Sequence, residues 1–382
     1  MGSEVALACK AVLVEHGIEE VDVEIRESLV TRSVGPKLLE PGLTSDPTTK
    51  FRICLTPTLG LSISNAAMPW AEGTGGFFIT SGGADSKVFL VTARHVVFKP
   101  DKDDNKEYEC KNATYKSLVH SIMVEIGNKG MSIQTLKKRL KAIEGKEGPR
   151  FDRERTQAQN GIMAAEEAIE ELTALHEETK RWEKLEDRVF GHVVYAPPIT
   201  LGAGPDGYTE DFALIEIDTS RFDASNVKIN CIDLGTKIDD ADLMRMLYPH
   251  NTSPHTFEYP ADRLLHLRGT IPVEEMHKPT MLDQNGDHCI VVLKRGCTTG
   301  LTVGRANWTI IPYDKESGAF SANGDSGSVV VDGRGRIGGL LTGGDGITQR
   351  LDLTYVTPID FLMERIKAWK GAARAHLDLQ LY

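Results

Sequence analysis

SGAFSANGDSGSVVVDGRGRIGGLLTGG, residues 317–344, is the stretch on which the fold turns. At its centre Gly324-Asp325-Ser326-Gly327 separates two strand-like runs. A serine in a glycine-flanked tight turn can present its hydroxyl outward while the bare amides of the turn face the same point. Acyl transfer needs that pairing of a nucleophile with an oxyanion hole. Gly-Asp-Ser-Gly also suits an ordinary β-turn, so the rest of the chain has to decide.

Two segments bear on it. FLVTARHVVF, residues 89–98, sets His95 among apolar residues at the end of a short apolar run. A histidine so placed is more often a satisfied core residue, but a serine nucleophile needs a base with a pKa near neutrality, which histidine supplies. YTEDFALIEID, residues 208–218, puts Asp211 at the head of an alternating strand carrying Phe212, Leu214 and Ile217. Such an aspartate is either a cap or the carboxylate that fixes a histidine tautomer.

Taken together, the order His95, Asp211, Ser326, each at a strand edge, resembles the chymotrypsin/trypsin superfamily of serine proteases. The matching pieces are Thr92-Ala93-Arg94-His95, Asp211-Phe212-Ala213-Leu214 and Gly324-Asp325-Ser326-Gly327. Gly73-Thr74-Gly75-Gly76-Phe77-Phe78-Ile79 looks like the family's glycine-rich strand. Lys294-Arg295-Gly296-Cys297-Thr298-Thr299-Gly300-Leu301-Thr302-Val303-Gly304 is similar to a segment of bacterial, viral and fungal members, and Gly339-Leu340-Leu341-Thr342-Gly343-Gly344 to the strand that lines a substrate's main chain. The resemblance covers roughly residues 70–114, 190–235 and 262–368.

It implies a mainly β protein, a double six-stranded antiparallel β-barrel, with His95, Asp211 and Ser326 as catalytic residues and the amides of Gly324 and Ser326 as the oxyanion hole. Thr342, Gly343 and Gly344 would pair with a peptide substrate. Phe320, six residues before the serine, stands where trypsin-like members carry an acidic pocket floor, which implies an apolar or small side chain at the cleaved bond. In members activated by cleavage, the aspartate matching Asp325 pairs with a newly cut amine. No Ile-Val-Gly-Gly start occurs here, so Asp325 finds another partner or the active form differs from the chain as written.

Other chemistries fit less well. The nucleophile elbow of α/β-hydrolases requires G-x-S-x-G, whereas Ser328 occupies the second glycine position and the residue order is wrong. No H-E-x-x-H and no cysteine quartet suggests a metal or cofactor. A silent protease-like scaffold that binds partners is the alternative from another class; intact His95, Asp211 and Ser326 count against it.

The 382 residues carry 44 Lys plus Arg against 55 Asp plus Glu, a net charge of −11, which argues against a general nucleic-acid or anionic-membrane binder. Residues 1–17 lack the basic n-region of a signal peptide, and no apolar stretch approaches a membrane span. Six cysteines, at 9, 54, 110, 231, 289 and 297, show no pairing pattern, and Val96 stands where secreted relatives carry a cysteine after the histidine. Reduced thiols in an intracellular, cytoplasmic protein are expected.

Along the chain, Val5, Cys9, Val12 and Leu13 share a helical face ending at His16-Gly17, and Val21–Ile25 alternates as a strand. These form a small α/β appendage with its linker, residues 1–48. The first barrel is expected over 49–240 and the second over 241–382 with a closing helix from Pro358. Within the first, Ile133, Leu136, Leu140 and Ile143, then Ile162, Ala165, Ile169, Leu172, Thr179 and Trp182, predict an antiparallel helical hairpin over 131–189, broken at GKEGPR. The hairpin is either an inert insertion or a docking arm for a protein partner.

Overall fold

The structure is a computed structural model that describes residues 2–18, 36–68, 71–83, 87–98, 109–112, 115–222, 229–249, 257–307, 309–345 and 353–377. The chain divides into two compact units, Met1–Val34 and Gly35–Tyr382. In the first, a helix spans Gly2–Glu15. It ends at Gly17, whose φ of 77° suits the left-handed residue of a helix stop, with the amide of Ile18 returning to the carbonyl of Leu13 at 2.9 Å. The strand expected over 21–25 lies outside the described residues.

In the second unit the strands are, in chain order, β1 Ser62–Asn65, β2 Glu72–Thr74, β3 Phe77–Thr80, β4 Val88–Thr92, β5 Glu109–Asn112, β6 Val189–Tyr195, β7 Thr200–Ala203, β8 Tyr208–Glu210 and β9 Ala213–Ile217. There follow β10 Cys231–Asp233, β11 Leu264–His266, β12 Met281–Leu282, β13 His288–Gly296, β14 Gly300–Ala306, β15 Ile310–Pro312, β16 Val329–Asp332, β17 Ile337–Asp345 and β18 Leu353–Pro358.

A seven-stranded antiparallel sheet has the order β2-β1-β5-β6-β9-β4-β3. Its two outer strands are halves of one run bent at Gly75-Gly76. The Gly75 amide bonds the carbonyl of Leu61 on the β1 side, and the Gly76 amide bonds Val91 on the β4 side, both at 2.8 Å. A Cβ on Gly76 would lie 2.5 Å from the carbonyl oxygen of Gly327, so only glycine lets the bend approach that turn.

The second large sheet runs β12-β13-β14-β15-β18-β17-β16, and β13 also pairs with β16 through Val292↔Asp332, Leu293↔Val331 and Lys294↔Val330. That pairing closes six strands into a barrel. Among the described residues, strand pairing therefore closes one barrel and leaves the other sheet open at β2 and β3, where two closed barrels were expected.

Alternation along β13 and β16 has a period of two, as a strand with two buried faces requires. Ile290, Val292 and Val330 join Ile310, Phe320 and Leu341 in one cluster. Val291, Leu293, Val329 and Val331 join Phe77, Phe78, Leu90 and Leu214 of the first sheet in another. The two sheets thus share a core along the faces that carry the candidate site. The closing helix, Ile359–Ala368, buries Leu362 and Ile366, and Trp369 after it stacks on Tyr195 with ring centroids 5.0 Å apart.

The helical pair is present, at Tyr115–Ala142 and Pro149–Thr179, but begins well before residue 131, while Val189 already starts β6. Gly127 and Gly130 make residues 115–130 a poor helix by propensity. Tertiary packing overrides them: Leu118 and Ile122 are buried with Leu172, Leu175, Trp182, Phe51 and Leu55. Farther out the seam narrows to buried Ala158, Ala165 and Ala168 facing half-buried Ile133, Leu136 and Leu140, and Leu136 packs where a Cβ on Gly161 would lie 3.0 Å from its Cδ1. Among the described residues no helix is long and apolar enough to cross a membrane. Cys9, Cys289 and Cys297 are free thiols, and burial pushes the Cys289 thiol up to about 11.

Candidate active site

The register of two neighbouring strands brings His95 and Asp211 together. β4 pairs with β9 so that Thr92 lies opposite Ala213. His95 follows that rung in the short helix Arg94–Val97, and Asp211 precedes it at the end of β8. His95 Nδ1 lies 2.6 Å from Asp211 Oδ2, and the His95 backbone amide donates to Oδ1 at 3.2 Å. Asp211 is buried, whereas the His95 side chain keeps 31% of its surface exposed. With Asp211 accepting from Nδ1–H, the Nε2 lone pair is left to act as a base. The adjacent carboxylate is kept out of this pair, because Glu210 bonds Arg365 at 2.9 and 2.8 Å.

Ser326 is held by main chain on both sides. Its carbonyl accepts the Thr74 amide at 2.8 Å, and the next amide, that of Gly327, donates to Leu341 at 2.7 Å. Gly327 has a φ of 89°, and a Cβ there would meet the Thr74 carbonyl at 2.1 Å, Thr92 Oγ1 at 2.3 Å and the Ala93 amide at 3.2 Å. The turn is thus seated on the end of β4, next to the helix that carries His95. Gly324 is also left-handed, with φ 99°. Asp325 donates its amide to Ala322 at 2.9 Å, whereas the amides of Gly324 and Ser326 have no acceptor among the described residues. Those two are the donors an oxyanion would need.

The side chain beneath the turn takes the first of the two courses the sequence left open, since Asp325 finds another partner. Asp325, fully buried, forms an ion pair with equally buried Lys294 at 2.9 Å. It also accepts from the hydroxyl of Thr299 at 2.7 Å and from the amides of Thr298, Thr299 and Ala322 at 3.0, 3.2 and 3.0 Å. Burial alone would push this carboxyl up, but the ammonium and these donors outweigh it and hold the group below its ordinary value. The role of Lys294 went unread, although a signal was there: Ile290, Val292 and Lys294 occupy alternate positions of one strand and so point to one side.

Phe320 is fully buried inside the barrel with Ile290, Val292, Val330 and Leu341, and the Lys294 ammonium lies 5.8 Å from its ring centre. Its carbonyl accepts from Thr302 Oγ1 at 2.7 Å. Thr342, Gly343 and Gly344 belong to the outer half of β17. That strand pairs with β16 only as far as Val329↔Leu340, but with β18 as far as Asp345↔Leu353. Beyond Leu340, one main-chain edge is therefore without a strand partner among the described residues.

No family profile and no curated protein matches the chain. Among solved structures, chymotrypsin of Cellulomonas bogoriensis is similar at 12% identity, over 46% of this chain and 72% of that one, with a TM-score of 0.24. That likeness is too low to carry weight by itself.

Proposed function

We propose that this protein is a serine endopeptidase working through Ser326, His95 and Asp211. One observation carries the proposal. The 2.6 Å contact between His95 and Asp211 occurs at the end of the strand on which the Ser326 turn is seated. His95 Nε2 takes the Ser326 proton as the hydroxyl attacks a peptide carbonyl, then returns it to the leaving amine. Asp211 holds the imidazole tautomer and stabilises its transient positive charge, and the amides of Gly324 and Ser326 receive the oxyanion.

The substrate's main chain adds as a strand along Thr342–Gly344, whose edge is free of β16. Phe320, expected to face the substrate, instead has no exposed surface and packs in the barrel core, so it does not itself line a substrate pocket. The Lys294–Asp325 pair favours a turn that is formed without any cut amine. The continuous bend of β2 into β3 at Gly75-Gly76 favours reading the first sheet as a second barrel of chymotrypsin-like form.

Digestion of a diverse peptide library tests this. Internal cleavage by the wild type, lost in Ser326→Ala with unchanged melting, is expected. No cleavage by a folded wild type, or equal cleavage by the variant, would overturn the proposal and leave a scaffold that binds through its helical pair.

A further inference from the structure

The loop after β13 grips the peptide whose amide would bind the oxyanion. Thr298 Oγ1 donates to the carbonyl of Asn323 at 2.8 Å. In a trans peptide the carbonyl of one residue and the amide of the next point in opposite directions. Fixing the Asn323 oxygen therefore fixes the Gly324 N–H on the other side. The following peptide is held independently, since the Gly324 carbonyl accepts from Thr74 Oγ1 at 2.9 Å and from Cys297 Sγ at 3.0 Å.

Thr298 is itself anchored, its amide donating to Asp325 Oδ1 at 3.0 Å. A continuous set of contacts thus runs from the buried Lys294 ammonium through Asp325 to Thr298 and on to the Asn323–Gly324 peptide. Gly324 leaves just the room this needs, because a Cβ there would lie 2.4 Å from Thr298 Oγ1. Without the hydroxyl, the left-handed Gly324 has no side-chain barrier to a rotation that turns its N–H away from the reaction.

We propose that Thr298 is the positioning residue of the oxyanion hole, its hydroxyl holding the Asn323–Gly324 peptide so that the Gly324 amide faces the reacting carbonyl. This deepens the peptidase reading and rests on Ser326 being the nucleophile. Thr298 touches no substrate and acts only through Gly324. It is solvent-exposed, so its replacement has no cavity to open and little stability to remove.

The test is the rate of labelling by a fluorophosphonate, whose phosphoryl oxygen needs the same amides, in wild type, Thr298→Val, Thr298→Ala and Thr298→Ser. Labelling roughly tenfold slower in the valine and alanine variants is expected, on the scale of one lost hydrogen bond. Serine should restore the rate to within about twofold, with the same melting temperature in all four proteins. In peptide hydrolysis the loss should fall on kcat with KM retained, as for an interaction made only in the transition state. Equal labelling of wild type and Thr298→Val would overturn the role of Thr298 and leave the peptidase standing. A folded wild type that does not label at all would overturn both.

Discussion

The two sides of the candidate site are built differently. On the His95 side, two side chains meet through one short contact, and strand register does the rest. On the Ser326 side, the serine's own side chain is secondary to what lies under it: a fully buried ion pair, six further donors to Asp325 and the Gly324 carbonyl, and two left-handed glycines. Both carboxylates, Asp211 and Asp325, are buried, but the partner of the first is partly open to solvent and the partner of the second is not. Under the proposed function, damage to His95 or Asp211 should therefore appear in rate, and damage to the buried Lys294–Asp325 pair in folding.

Asp211→Asn gives the largest expected effect. With the tautomer no longer fixed, kcat in peptide hydrolysis should fall by about 10⁴, or roughly 5.4 kcal/mol of barrier, with little change in the urea midpoint. A large drop in stability with modest loss of kcat would erase the contrast.

Lys294→Met is the counterpart. It strands a carboxylate with no exposed surface, and should cost roughly 3–5 kcal/mol in urea unfolding. Adding Asp325→Leu should recover much of that loss, because the pair is replaced by apolar packing beside Phe320. A single variant as stable as the wild type would show that the pair does not hold the turn.

Acid sharpens the same point. The folded-state carboxyl of Asp325 lies below its ordinary value of 3.8, so its stabilisation is full above that pH and is lost as pH falls through the depressed value. Melting temperature should hold from neutrality to about pH 4 and drop below it. In Lys294→Met the sign should invert: burial unopposed by the ammonium pushes the carboxyl up, so protonation relieves the stranded charge and melting temperature should rise, not drop, as pH falls through that raised value. Coincident profiles would contradict the assignment.

The smallest expected effect is Arg365→Ala. Its guanidinium is 45% exposed, so losing the bond to Glu210 should cost about 1 kcal/mol, read in the same urea titration.

How much was legible in the sequence follows the same division. His95 and Asp211 could be placed beside one another only through the ordered resemblance of several motifs, because each alone reads as a core histidine or a strand-end cap. The helical pair was legible where its apolar spacing is regular, from Ile133 onward, and illegible over 115–130, where packing of Leu118 and Ile122 overrides two glycines. The closing pairing of β13 with β16 joins segments far apart in the chain, and nothing local announces it. Lys294 was hidden for a related reason: a lysine in an apolar strand gains meaning only once Asp325 is known to lie opposite. The burial of Phe320 likewise depends on the barrel closing around it.

Peptide mapping of the fluorophosphonate adduct by mass spectrometry bears most directly on the convergence of the three residues. A single adduct on Ser326, formed rapidly by the wild type and far more slowly by Asp211→Asn and His95→Ala, is the expected result. An adduct on another residue, or one on Ser326 that forms equally fast in all three proteins, would contradict the account.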